Sequence, residues 1–190
     1  MEISMKIILA SQSPRRREIL EKHGFEVIVQ KPFNVRELDL GEEGLDTPEK
    51  VVCENARLKV LSIVPKEHAW VIGSDTIVIL NGKHYGKPET EEEAIQFLTE
   101  LSGKTHEVYS SYCLKMNGRM ELGFDVTEVT FKSLSKKEIE RYIEAVHVMD
   151  KAGAYAVQEG GEDIVESLEG SFYTVMGLPI EKILPILNSK

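Results

Sequence analysis

The most unusual chemical pattern in the sequence is Ser13-Pro14-Arg15-Arg16-Arg17. Ser13 is a favourable N-cap and Pro14 fits the first helical position, so the pattern predicts the start of a helix. Because a helix N-terminus already carries partial positive charge and free N–H donors, three arginines are unfavourable there unless an anion binds. Phosphate oxygens suit both kinds of donor. The alternative is that the arginines extend into solvent or pair with the acidic stretch Glu37–Glu43, and the pattern alone leaves both open.

A second candidate is the carboxylate in Gly73-Ser74-Asp75-Thr76, which lies between two strongly apolar segments. A charge in such surroundings is costly unless it is hydrogen-bonded, paired or bound to a metal. Asp75 is therefore a candidate to bind Mg²⁺ or to activate water. The alternative, which is the commoner role of an aspartate beside glycine and serine, is to cap its own backbone in a turn.

Basic and amide side chains could complete a site around this carboxylate. Lys59 lies late in a predicted helix and Lys87 precedes Pro88. Either is more often a solvated lysine than a ligand, but together with the arginines they would form a positive pocket that attracts anions. Gln158 ends a segment rich in small residues and could read the edge of a base. The simpler interpretation of that segment, 150–158, is a tight loop leading into a strand.

Several familiar sites are excluded by the sequence. Gly103-Lys104-Thr105 resembles the end of a P-loop, but Leu98 stands where the first glycine is required. No Gly-x-Ser-x-Gly motif of a serine hydrolase occurs, and the five histidines show no paired metal-ligand spacing.

The elements that must position these residues alternate between strands and helices. Apolar patterns predict strands at Lys6–Ala10, Glu26–Val29, Trp70–Gly73, Thr76–Leu80, His106–Met116 and Met120–Lys132. Capping and proline signals predict helices at about Pro14–His23, Pro48–Ile63, Glu91–Leu101, Lys136–Val146 and Ile180–Leu187. Asn81-Gly82 and Asn117-Gly118 predict hairpin turns. This order favours a mixed β-sheet covered by helices, an α/β fold.

Length and charge limit the possible functions. The chain of 190 residues suits one α/β domain or two tightly joined lobes that share a cleft. A net charge of −9 argues against a protein that binds duplex nucleic acid. Cys53 and Cys113 are too few for a disulfide framework, and no segment is long enough to span a membrane or to serve as a signal. We therefore expect a cytoplasmic protein that binds neither membrane nor nucleic acid.

Seven short motifs of the chain, taken in order, resemble those of the Maf family. They are Ala10-Ser11-Gln12-Ser13-Pro14-Arg15-Arg16, Ala56-x-x-Lys59, Gly73-Ser74-Asp75-Thr76, Gly86-Lys87-Pro88, Ser102-Gly103-Lys104-Thr105-His106, Asp150-Lys151-Ala152-Gly153-Ala154-Tyr155 and Gly177-Leu178-Pro179. Each motif is weak alone, but their order from about Ile7 to Pro179 is highly specific.

The resemblance implies a nucleoside triphosphate pyrophosphatase that depends on Mg²⁺ or a similar cation such as Mn²⁺. It implies a single domain, 1–190, with two lobes around a cleft as in inosine triphosphatases, and often a homodimer. By motif, Asp75 would be the catalytic acid-base residue or a metal ligand, with Glu37 as a second acidic residue. The phosphates would be held by Ser11, Arg16, Lys59 and Lys87.

The resemblance also implies a substrate preference. Arg15, Thr76 and Gln158 fall where the branch that prefers dTTP and UTP has its specificity residues, so we expect that branch rather than the one acting on 7-methyl-GTP. Asn55, Val60 and Thr174 depart from the family pattern, in which leucine, alanine and asparagine are common. Two alternatives remain: a nucleotide-sensing binding protein without turnover, linked to cell division, and a protein–protein regulator that merely keeps the fold.

Overall fold

The computed structural model describes residues 5–65 and 68–189. Its chain forms two compact units, each built from separate stretches of sequence. The first unit comprises residues 1–75, 110–125 and 177–190, and the second comprises residues 76–109 and 126–176.

The first unit is built on parallel strands. Its strands are β1 (Lys6–Leu9), β2 (Glu26–Val29) and β3 (Trp70–Gly73), and β1 pairs in parallel with both β2 and β3. Helix α1 (Pro14–Lys22) connects β1 to β2, and helix α2 (Pro48–Leu61) precedes β3. Helix α7 (Ile180–Asn188) closes the unit at the end of the chain. Strand–helix–strand connections of this kind place helices on the faces of the sheet, which explains why residues 7–9 of β1 and all of β3 are apolar and buried.

The second unit is richer in antiparallel strands. Strand β4 (Thr76–Leu80) pairs with β5 (Lys83–Tyr85) through a turn at Asn81-Gly82. Its helices are α3 (Glu91–Leu101), α4 (Lys136–Ala145), α5 (Gly161–Ile164) and α6 (Phe172–Met176). Strand β8 (Val165–Glu169) pairs antiparallel with residues 128–131, the end of the long strand β7 (Arg119–Phe131).

Two long strands contribute residues to both units. They are β6 (Thr105–Met116) and β7 (Arg119–Phe131), joined by a turn at Asn117-Gly118. In the first unit β6 pairs antiparallel with β3, so this sheet mixes parallel and antiparallel strands. The predicted fold class, a mixed sheet with helices, is confirmed.

Each unit has its own apolar core. In the first, α2 packs its apolar face on the sheet through Ala56 and Val60, which meet Ile8 and Val71. In the second, the predicted face of α3 is buried: Ala94, Phe97, Leu98 and Leu101. The 3.6-residue spacing of those side chains therefore predicted the buried face correctly.

The helix caps agree with the sequence in part. Ser135 and Glu138 form the full reciprocal capping box at α4. At α3 the Thr90 hydroxyl accepts from the Glu93 N–H, but the Glu93 carboxylate binds the N–H of Glu89 instead of Thr90. Ser13 occupies the N-cap position of α1 without a side-chain cap bond.

Within residues 5–65 and 68–189 no helix is long and apolar enough to cross a membrane.

Candidate active site

Asp75 follows strand β3 and is buried, with 6% of the residue exposed. Both carboxylate oxygens are bound: Oδ1 accepts from Lys59 Nζ at 2.8 Å and Oδ2 accepts from Asn55 Nδ2 at 2.9 Å. Its backbone N–H donates to Ser111 Oγ at 3.1 Å, and Ser111 in turn donates to the carbonyl of Val52 in α2. The charge is thus paired and hydrogen-bonded, as burial of a carboxylate requires.

Lys59 links this carboxylate to a second one. Its side chain is only 8% exposed, and Nζ lies 2.8 Å from Asp75 Oδ1 and 2.7 Å from Glu37 Oε1. The third contact of the ammonium is the carbonyl of Ser74 at 3.3 Å. Lys59 is therefore not the solvated lysine that its position late in a helix would favour.

Close packing of α2 against β3 brings Lys59 to Asp75. A Cβ on Gly73 would lie 2.7 Å from Val60 Cγ2 and 2.9 Å from the carbonyl oxygen of Ala56. Only a residue without a side chain allows this approach, because both distances are shorter than normal contacts. Lys59 and Asp75 are thus placed by one packing contact between a helix and a strand.

Asn55 holds the segment that carries Glu37. Its Oδ1 accepts from the Leu38 N–H at 2.8 Å, and its Nδ2 donates to the Leu38 carbonyl at 3.0 Å as well as to Asp75. The sequence analysis treated Asn55 only as a departure from the family pattern, and its contact with Asp75 was missed. No local signal identifies it, since its partners lie 17 and 20 positions away.

A second group of contacts lies at the start of α1. Arg16 donates from Nε to the Gly177 carbonyl at 2.8 Å and from Nη1 to Ser11 Oγ at 3.2 Å. Ser74 Oγ donates to the same carbonyl at 2.8 Å. Gly177, which the sequence analysis named only as part of a motif, therefore anchors two side chains of the site.

Burial and the neighbouring carboxylates have opposite effects on the pKa of Arg16. Burial lowers the pKa of Arg16, and the negative charges of Asp75 and Glu37 act in the opposite direction. Those two charges are the strongest of either sign acting on it, so Arg16, Glu37, Lys59 and Asp75 form one charged cluster.

The three arginines of α1 behave differently from one another. Arg17 is exposed and pairs with Glu21 one turn along the helix, at 2.7 Å. Arg15 is half-buried. The solvent alternative thus holds for Arg17, whereas Arg16 turns to Ser11 and Gly177.

Three predicted site residues belong to the second unit. Lys87 is exposed and Thr76, which opens β4, is half-buried. Both side-chain amide atoms of Gln158 are buried without a hydrogen-bond partner in the described part of the chain. Buried amides are normally satisfied, so an orphaned one is the kind of group that a ligand completes.

The acidic pair fits a divalent cation that arrives with phosphates. Within residues 5–65 and 68–189 no group of three or more His, Cys, Asp or Glu side chains could hold a metal ion. Mg²⁺ commonly takes only one or two carboxylates and completes its shell with waters and substrate phosphate oxygens. Glu37 and Asp75, brought together by Lys59, match that donor set.

Comparison with known proteins identifies the family. The model of the family described as Maf-like protein matches residues 6–190. The chain belongs to the Maf family. The resemblance carried by the seven motifs is thereby confirmed.

Maf relatives of known name are similar over nearly the whole chain. A dTTP/UTP pyrophosphatase of Akkermansia muciniphila is 44% identical, over 96% of this chain and 95% of that protein. The dTTP/UTP pyrophosphatases of Pyrococcus furiosus and Thermotoga maritima are 44% and 41% identical, over 96% and 98% of this chain and 94% and 90% of those proteins.

A solved structure agrees on the fold alone. The Staphylococcus aureus Ham1 protein matches with a TM-score of 0.50 and 15% identity, over 96% of this chain and 97% of that one. This chain and the Ham1 protein thus share the α/β fold class predicted from the sequence.

Proposed function

We propose that the chain hydrolyses dTTP and UTP to the nucleoside monophosphate and pyrophosphate. Relatives named dTTP/UTP pyrophosphatase, more than 40% identical over nearly the full length, support this reaction. The observation that carries the proposal is the buried Asp75 carboxylate, bound by Lys59 and adjoining Glu37 and Arg16. Fixed positive groups beside a carboxylate suit a triphosphate tail, because the cations bind phosphate oxygens and the carboxylate can orient water.

In the proposed reaction the oxygen of water bonds to the α-phosphorus. The bond between this phosphorus and the oxygen that bridges to the β-phosphorus breaks, and pyrophosphate leaves with that oxygen. Negative charge builds up on the phosphate oxygens, so Arg16, Lys59 and Lys87 stabilise the transition state and Ser11 holds a phosphate oxygen. Asp75 orients the water or accepts its proton. Positioning and charge stabilisation outweigh covalent catalysis in such a reaction.

A divalent cation, Mg²⁺ or Mn²⁺, is part of the proposal. Glu37 and Asp75 would hold it, and when bound it would neutralise charge on the triphosphate. Lys59 then keeps its two carboxylates at a fixed separation until the substrate is present.

Selection of the base is assigned to Arg15, Thr76 and Gln158. A site that hydrogen-bonds the correct base rejects a wrong one because the mismatch leaves a buried polar group unpaired. The unpartnered amide of Gln158 supports its role in this selection. Preference for thymine and uracil over guanine is the expected outcome.

One assay tests the proposed function against its alternatives. The protein is incubated with dTTP, UTP, CTP or GTP and Mg²⁺, and monophosphate and pyrophosphate are measured with binding in parallel. With dTTP and UTP we expect both products, one monophosphate for each pyrophosphate. Binding without products would support a nucleotide sensor, and absence of binding would support a protein–protein regulator.

The setting of the enzyme is also proposed from the family resemblance. We assign residues 1–190 to a single domain and expect a cytoplasmic enzyme that forms a homodimer and binds no nucleic acid. Light scattering measures the molar mass and so distinguishes a dimer from a monomer. The measurement is made in the buffer of the activity assay.

A further inference from the structure

We infer that Asn55 is a positioning residue that sets the affinity of the acidic pair for the divalent cation. The inference rests on the proposed function, in which Glu37 and Asp75 hold that cation. Asn55 does not touch the substrate. It acts on the separation and orientation of the two carboxylates.

The amide of Asn55 is buried, 2% exposed, and uses both ends of its side chain. Oδ1 faces the Leu38 N–H, while Nδ2 faces two acceptors, the Leu38 carbonyl and Asp75 Oδ2. This pattern fixes the orientation of the amide, because a flip would point a donor at a donor and an acceptor at two acceptors.

The bonds to Leu38 replace regular secondary structure. Residues 35–39 belong to no helix or strand, so their backbone groups need partners from elsewhere. Asn55 satisfies both backbone groups of Leu38 at distances of 2.8 and 3.0 Å. We call these two bonds between Asn55 and Leu38 the Leu38 clamp. Because Glu37 directly precedes Leu38, the clamp also restrains the backbone of Glu37.

The third bond ties this clamp to Asp75. The neutral amide of Asn55 therefore contacts both Asp75 and the backbone of Leu38, the residue after Glu37. Lys59 also bridges the two carboxylates, but its positive charge opposes a cation at the same place, whereas the amide of Asn55 does not. Asn55 thus keeps the acidic pair in position when a cation neutralises it.

Hydrogen-bond partners of metal ligands commonly change metal affinity by 10–100-fold when they are removed. We therefore choose Asn55→Leu, which keeps the approximate size and removes all three bonds. The Mn²⁺ concentration for half-maximal dTTP hydrolysis is expected to rise about tenfold. At saturating Mn²⁺, kcat is expected to stay within roughly threefold of the unmodified protein, since no group that touches the substrate is lost.

The second readout needs no turnover. Binding of Mn²⁺ is measured by electron paramagnetic resonance in the presence of the non-hydrolysable analogue α,β-imido-dTTP, and we expect it to weaken by about tenfold in Asn55→Leu. Absence of products from the unmodified protein would refute the proposed function. The Mn²⁺ binding measurement would still test the role of Asn55.

Ser62→Ala is the matched control. Ser62 Oγ also ties the irregular segment to α2: it accepts from the Phe33 N–H at 3.1 Å and donates to the backbone carbonyl of Lys59 at 2.7 Å. These bonds involve backbone groups and neither carboxylate of the acidic pair. It should lower the unfolding temperature without changing the Mn²⁺ requirement.

The inference is overturned if Asn55→Leu keeps the Mn²⁺ requirement and loses only stability, as Ser62→Ala does. A loss of kcat at an unchanged Mn²⁺ requirement would overturn it as well. Asn55→Ala removes the same bonds without introducing a branched side chain and is expected to give the same result. If neither variant folds, Asn55 is a folding residue and the positioning role is wrong.

Discussion

One carboxylate oxygen of Asp75 binds the ammonium of Lys59 and the other binds the amide of Asn55. These two contacts determine the effect of replacing Asp75. In Asp75→Asn the shape is nearly unchanged, but Lys59 loses one of its two carboxylates. The proposed catalytic group is removed as well, so we expect kcat for dTTP to fall by about a thousandfold or more. Activity and thermal unfolding are measured on the same preparation.

Asp46→Asn serves as the control for Asp75→Asn. Asp46 belongs to the same unit and also pairs with a lysine, Lys50, but the pair is on the surface. We expect it to keep normal turnover. Near-normal activity of Asp75→Asn would contradict the assigned role.

His106 gives a prediction about pH and stability. The ring is buried among Phe131 and Tyr155, and Nε2 bonds to Tyr155 Oη at 2.7 Å. Burial lowers the pKa of His106 from 6.5 to about 4. Between these two values the unfolded chain binds a proton at His106 and the folded chain does not. The contribution of the neutral, buried His106 ring to the free energy of unfolding is therefore fully present above pH 6.5, and it is lost as the pH falls toward 4.

The size of this effect is about 3 kcal/mol at most, from a pKa difference of this kind. Urea unfolding at several pH values between 7 and 4 measures it. The difference between the unmodified protein and His106→Gln isolates the contribution of this ring, because other titrating groups are common to both. A pH profile of His106→Gln that runs parallel to that of the unmodified protein would contradict the prediction.

At the scale of elements, the contact between α2 and β3 at Gly73 leaves no room for a side chain. Gly73→Ala forces a methyl group against Val60 and the carbonyl of Ala56. Overpacking of this kind costs about 1–3 kcal/mol, and α2 must move away from β3. Since α2 carries Lys59 and Asn55, we expect activity to fall together with the unfolding temperature.

Gly161→Ala is the matched substitution for Gly73→Ala. A Cβ at buried Gly161 would meet its nearest atom, the Ala156 carbonyl oxygen, at an ordinary 3.6 Å. It should leave activity and stability close to normal. Equal effects of the two substitutions would show that packing at Gly73 is not special.

Local signals predicted most elements because the signals act within one turn or one strand. The turns at Asn81-Gly82 and Asn117-Gly118, where both residues have positive φ, appear where their sequences predict. Strand β8 was not predicted, since Val165–Glu169 is too charged to show the usual apolar alternation. Residues 165–169 form a strand because they pair with β7, which is distant in the sequence.

The same distinction applies to the site. The motifs predicted Asp75 and Lys59 as residues of one site, and they are in contact. The sequence could not show that Asn55 and the Gly177 carbonyl belong beside them, because a neutral amide and a backbone carbonyl have many possible partners. Their partners are 20 positions away for Asn55 with Asp75, and 161 positions away for Gly177 with Arg16.

For the whole molecule, the pairing of Lys59 with Glu37 and Asp75 predicts how the fold responds to metals. Since Lys59 and Arg16 together already balance the charge of the acidic pair, a chelator should leave the unfolding temperature unchanged, unlike in proteins that fold around a metal. Mg²⁺ with α,β-imido-dTTP should raise the unfolding free energy, by about 2.7 kcal/mol at a hundredfold excess over Kd. Calorimetry measures both. A marked loss of stability in chelator alone would contradict this prediction.

The anchoring carbonyl of Gly177 has a consequence for how the protein is made. The first unit uses the beginning of the chain, a middle stretch and residues 177–190. During synthesis, Arg16 and Ser74 leave the ribosome long before the residue that accepts their hydrogen bonds is added. A nascent chain that stops before residue 177 lacks this acceptor, so the arrangement of Arg16 seen in the folded protein is reached only after Gly177 has been added.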